Sequence, residues 1–174
     1  MNPEPGKLDE LRRAFDSGFA SKRAAPAEHV DLIGLRAGDR SYAVRISEIG
    51  SVVPLRSVAP LPCDEPAMLG IAAVRGTAVP VYDLAALVGD GAARAPRWML
   101  LSAGADRVAL AFDEIEEYLR LPRAQLVAAS EHGAAATPAV AELVRHGSSL
   151  RPVVSVASVL SKLERQLGLP LKER

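Results

Sequence analysis

The chain has 174 residues, 49% of them apolar, and carries 21 Lys and Arg against 21 Asp and Glu, so its formal net charge is zero. That length buries one ample core or two small ones, while the balanced charge supplies no field to hold nucleic acid by counterion release. An aromatic share of 4% leaves few platforms for stacking bases, so no nucleic-acid partner is expected.

At the N-terminus Leu8, Leu11, Phe15 and Phe19 recur at helical spacing among charged residues, which predicts one amphipathic helix. Ser21 to Glu28 reads as a linker, so residues 1–28 form a helix and linker ahead of the main domain. The first residues are polar rather than basic and then apolar, and no apolar run approaches the ~20 residues that span a bilayer. Cys63 is the only cysteine, which rules out an intramolecular disulfide and favours a reducing compartment. A cytoplasmic location without direct membrane insertion is the expectation.

From Val30 the pattern turns to strand. Val30 to Arg36 and Ser41 to Ile46 flank a turn at Ala37 to Arg40, with Tyr42, Val44 and Ile46 on one face. Ser47-Glu48-Ile49 can start a helical turn before Val52 and Val53 return to strand. Pro54, Pro60, Pro62 and Pro66 keep the next connection extended. Ile71 to Val74 and Thr77 to Tyr82 then form a hairpin about Arg75-Gly76, where Gly tolerates positive φ. Pro80 cannot donate to a ladder, so its side of the strand must meet an edge, a bulge or a bend. Asp83 caps a short helix, Leu84 to Val88, stopped by Gly89.

The second half replays this order. Trp98 to Ser102 and Arg107 to Phe112 form a hairpin about Ala103 to Asp106, followed by Asp113-Glu114-Ile115, which aligns on Ser47-Glu48-Ile49 at an offset of 113 − 47 = 66. Leu35 to Gly38 falls on Leu101 to Gly104 at the same offset. Pro80 to Leu84 is echoed by Pro152 to Val156 at 152 − 80 = 72, and the Ala-rich stretch Val127 to Pro138 is where the added residues belong. Two copies of one strand-rich unit explain the pattern. Each copy has about five short strands, too few for an open sheet, so closure into a small barrel follows. Val156, Val159, Leu160, Leu163 and Leu167 form a closing helix that ends near Gly168. The domain thus covers 29–168, with a tail at 169–174, and a groove between two barrels is a natural binding place.

Enzyme chemistry has no constellation here. His29, His132 and His146 are scattered as surface or loop residues, and no zinc-ligand spacing, phosphate loop or nucleophile elbow occurs. The acidic cluster Asp113, Glu114, Glu116 and Glu117 could suit a hard cation, but Asp113 capping a helical turn is the preferred reading. No cofactor, metal or catalytic residue is assigned, and the protein is expected to be a non-enzymatic interaction module.

The stretch Gly70 to Leu84, with Arg75-Gly76-Thr77-Ala78-Val79-Pro80-Val81-Tyr82-Asp83-Leu84 at its core, resembles the Arg-Gly-x-x-x-Pro-Val-x-Asp-Leu signature of CheW, the chemotaxis coupling family. Gly38 to Val44 and Val108 to Asp113 resemble two further family hairpin strands, in order. The resemblance implies a mainly β fold of two five-stranded SH3-like barrels, pseudo-repeated and intertwined, with short helices. It implies a non-enzymatic adaptor of a bacterial chemosensory pathway. Its partners would be the regulatory domain of a CheA-type histidine kinase and the cytoplasmic tip of a methyl-accepting chemoreceptor. It places partner-binding residues at Arg75, at Ile49 and Val52 as apolar contacts, at Ser51, and at Val79, Pro80 and Val81 as the supporting strand. Ser51 departs from the family, which commonly has Glu there, as Ala73 departs from Asn. A divergent member acting as an array filler or regulator of another kinase is the alternative, ahead of a small-molecule-binding double barrel.

Overall fold

A computed structural model describes residues 28–91, 95–103, 108–132, 137–147 and 149–168. The expected helix over Leu8 to Phe19 and the tail at 169–174 lie outside the described residues. The first half holds β1 (His29–Ala37), β2 (Arg40–Arg45), β3 (Ile49–Pro54), β4 (Met68–Val74), β5 (Thr77–Asp83) and α1 (Leu84–Val88). The second holds β6 (Trp98–Ser102), β7 (Ala109–Phe112), β8 (Glu114–Pro122), β9 (Leu126–Ala128), β10 (Glu142–His146), β11 (Ser149–Val154) and α2 (Val156–Leu167).

The strands form a six-stranded sheet ordered β8-β1-β2-β11-β10-β9 and a five-stranded sheet ordered β3-β6-β7-β5-β4. Each sheet therefore takes its first hairpin from one copy and its remaining strands from the other. The parallel rungs prove the duplication: Ala43 and Val44 face Val153 and Val154 in one sheet, and Ala109 and Leu110 face Val81 and Tyr82 in the other. These pairs are related by the sequence offsets of 66 and 72. Only β1 and β6 shift: Gly34 pairs with Ala43 as Leu101 pairs with Ala109, an offset of 101 − 34 = 67, because the second hairpin is one residue shorter.

Each sheet curls around a private core. Leu32, Ala43, Leu119, Val144 and Val153 fill the six-stranded one, and Ala72, Val74, Val79, Val81, Met99, Ala109 and Ala111 the five-stranded one. A third cluster, including Leu35, Tyr42, Val44, Tyr82, Leu100 and Phe112, joins the sheets under both helices. Tyr42 donates to Asp90, which also pairs with Arg40 at 3.0 Å. Burial and that bond push the Tyr42 hydroxyl pKa up, so it stays a donor.

Several expectations are corrected. The six-stranded sheet exceeds the expected five because Leu126–Ala128, placed at the start of an Ala-rich loop, is a strand. Ile46 leaves the Tyr42 face for a 3-10 turn, Ile46–Glu48, and is 39% exposed. Asp113 caps no helical turn: Glu114–Pro122 is strand, paired along β1, and the Asp113 carboxylate accepts from Gly38 N–H at 2.7 Å and Ala95 N–H at 3.0 Å. The acidic cluster is spent on ion pairs, with Glu116 facing Arg36 at 3.1 Å and Arg151 at 3.2 Å. His146 ends β10 with its side chain 41% exposed, a surface residue as expected though on a strand, and lies 3.3 Å from Glu117.

Candidate partner-binding site

The signature hairpin is built as its residues dictate. Arg75 (φ 48°) and Gly76 (φ 79°) both adopt positive φ, the type I′ geometry whose twist matches the flanking strands. Arg75 is the one non-glycine residue with positive φ among the described residues, a conformation that costs a side chain with a Cβ of order 1 kcal/mol. Pro80 lies in an internal strand, yet the rungs to β7 begin only at Val81, so the missing N–H meets no partner there. Pro152 repeats the arrangement, since rungs from β11 to β2 begin at Val153. Asp83, 3% exposed, accepts from Ala85 N–H at 2.9 Å and Ala86 N–H at 3.3 Å, and Gly89 ends α1 with φ 91°.

The five-stranded sheet closes incompletely. Its edge strands are β3 and β4, and the chain leaving β3 reaches β4 through one bridge, Ala59 to Ile71, with N···O distances of 2.8 and 2.9 Å. Gly70 makes that approach possible: a Cβ on it would stand 2.1 Å from the Ala59 carbonyl oxygen. Before the bridge the chain peels away and leaves a cleft of about 210 Å³. Val53, Ala72, Val74 and Met99 line it with apolar surface, and Arg56, Ser57 and Arg75 stand at its rim.

The seven sequence-selected residues divide into three groups. Arg75 is exposed at the cleft rim. Ile49 and Val52 are half-buried on β3 and pack toward the core shared by the two sheets, away from the cleft, whereas Val53 packs into the private core. Ser51 sits half-buried on β3 opposite Leu101. Val79 and Val81 are buried at 3% and 0% exposure and Pro80 is half-buried, so this strand holds the hairpin from within. Sequence reasoning missed Val53, Arg56 and Met99. Only Arg56 carried a signal, a lone cation in a Pro-rich stretch, and nothing local links it to Arg75.

A further joint ties β3 to the end of the chain. Glu48, just before β3, accepts from Val156 N–H at 2.6 Å and Ala157 N–H at 3.3 Å, and Ser155 accepts from Ser158 N–H at 3.3 Å. The free donors of the first turn of α2 thus receive two caps, one of them 108 residues away in sequence.

Comparison with known proteins agrees with this architecture. The family model for the CheW-like domain matches residues 31–164. The crystal structure of the scaffolding protein TtCheW from Thermoanaerobacter tengcongensis superposes with a TM-score of 0.65 at 17% identity, covering 74% of this chain and 90% of that one. No curated protein matches the chain. Among the described residues no helix is long and apolar enough to cross a membrane. With a match that spans well over half its length, the chain belongs to the CheW-like domain family.

Proposed function

We propose that the protein is a non-enzymatic scaffold of a bacterial chemosensory pathway, coupling methyl-accepting chemoreceptors to a CheA-type histidine kinase in the cytoplasm. Its work is to present complementary surfaces, without covalent chemistry. The observation that carries this reading is Arg75: an exposed guanidinium on a tight I′ turn, without an ion-pair or hydrogen-bond partner among the described residues, beside an open apolar cleft. A side chain that the fold does not use, held at a backbone cost, is available for recognition. Membership of the CheW-like family supports the choice of pathway. In this reading Ile49 and Val52 add apolar contact, Ser51 lies beside them, and Val79, Pro80 and Val81 keep the turn in place.

Arg75→Ala tests the proposal. Thermal stability is expected to stay nearly unchanged, while association with a kinase regulatory domain or a receptor tip weakens by about tenfold. A lowered melting temperature with binding untouched would make Arg75 structural and end the assignment. Ser51, where the family commonly has Glu, favours a second reading in which the protein occupies an array without coupling. Reconstituted kinase activity with receptor, measured with and without the protein, separates the two.

A further inference from the structure

The cleft in the five-stranded sheet has a counterpart in the other sheet, and the two differ in how charge is handled. By the offsets above, Ser51, Val74, Val79 and Leu101 correspond to Glu117, His146, Arg151 and Gly34. The second set pairs its charges internally: Arg151 Nη2 lies 2.9 Å from Glu117, and Glu117 lies 3.3 Å from His146, while Arg151 Nη1 is buried without a hydrogen-bond partner among the described residues. Gly34 leaves room for the guanidinium, since a Cβ there would stand 2.2 Å from Arg151 Nη1. In the first set no cation and no carboxylate remain inside. The charge has moved to the rim, where Arg56 and Arg75 are exposed and pair with no carboxylate among the described residues.

We infer that this cleft is a docking site for a partner-protein segment that presents a carboxylate beside an apolar side chain, with Arg56 and Arg75 together gripping the carboxylate. The apolar side chain seats on Val53, Ala72, Val74 and Met99. Charge complementarity selects this occupant. Two guanidiniums above an apolar floor repel a basic segment and leave a neutral one without partners for their donors. A cleft of about 210 Å³ admits one or two side chains, not a folded domain or a cofactor. The inference rests on the adaptor reading only for the claim that the segment belongs to another protein.

The test uses the full chain with isotope-labelled methionine and valine methyls. The probes are acetyl-Leu-Glu-Leu-amide, its Gln and Lys analogues, and inorganic phosphate. The Glu peptide is expected to shift the Met99, Val53 and Val74 methyls, and binding should fall about tenfold for the Gln analogue or for Arg56→Gln in the protein. Arg56→Lys should restore part of it. Equal binding of the Glu and Gln peptides, silence of the floor methyls, or a response to phosphate alone would overturn the inference. Binding of an intact kinase domain or receptor tip to wild type and Arg56→Gln reports separately on the adaptor reading. If neither partner binds wild type, that reading fails while the peptide result stands. If a partner binds both proteins equally, the cleft is not its seat and the inference falls.

Discussion

The six-stranded and five-stranded sheets occupy equivalent places in a duplicated chain, yet one edge is sealed by an added strand where the other is open. The difference lies in the segment after the third strand of each copy. In the six-stranded sheet that segment is β9, zipped to β10 by three successive pairs from Glu142–Ala128 to Val144–Leu126. In the five-stranded sheet the same segment makes only the Ala59 to Ile71 bridge. Interior volume follows suit: Leu119 and Val144 in the sealed sheet correspond to Val53 and Ala72 in the open one. Smaller side chains and an unzipped edge leave a cleft, whereas in the other sheet larger side chains and the Arg151–Glu117–His146 cluster occupy the equivalent positions. Duplication thus supplies two copies of a scaffold, and side-chain size and charge decide which copy keeps a surface to spare.

Substitutions that exchange features between the sheets test this contrast. The largest effect is expected from Gly70→Ala, which drives a Cβ into the Ala59 carbonyl at a backbone φ of +134°. It should cost about 3 kcal/mol in denaturant unfolding and speed amide exchange at Ile71. A loss under about 1 kcal/mol would mean that the bridge does not hold the open sheet together. Next comes Arg151→Val, which copies Val79 into the sealed sheet. Glu116 and Glu117 lose their shared partner while Gly34 still leaves the space empty, and about 2 kcal/mol should be lost. Adding Glu117→Ser, the residue the open sheet carries at Ser51, should recover part of that loss. Non-recovery would show that packing over Gly34, not charge, sets the cost.

The smallest contrast concerns the two helix caps. Asp83→Ala removes the acceptor for two N–H groups of α1 and should cost about 1 kcal/mol. Ser155→Ala at the equivalent position should cost about half as much, because Ser155 accepts one N–H group of α2, from Ser158, where Asp83 accepts two. Double substitution of Ser155 and Glu48 by Ala, followed by thermal unfolding, checks the pairing. A strictly additive result would argue that the two caps serve independent donors.

Much of this was legible because it is local. The Arg75-Gly76 turn, the Asp83 cap and the Gly89 stop were readable from neighbouring residues, since φ preference and short-range hydrogen bonds fix them. The two offsets were readable as well, and the parallel rungs reproduce them. The stretch Asp113-Glu114-Ile115 misled because a capping signal at Asp113 was outweighed by pairing with β1 through eight residue pairs. Ser51 and Arg75 were picked out by resemblance, but Arg56 and Met99 were not, because they reach the cleft from segments distant in sequence.

By itself, then, the sequence determined the central hairpins, the Asp83 cap, the closing helix and the fact of duplication. Tertiary structure alone decided that the copies exchange hairpins, that β9 zips while the Ala59 segment peels away, and that Arg56 shares a rim with Arg75. The physical reason is that strand partners and cleft walls are chosen by competition among surfaces far apart along the chain. That competition is settled by which arrangement buries the three cores together, and no short stretch of residues records it.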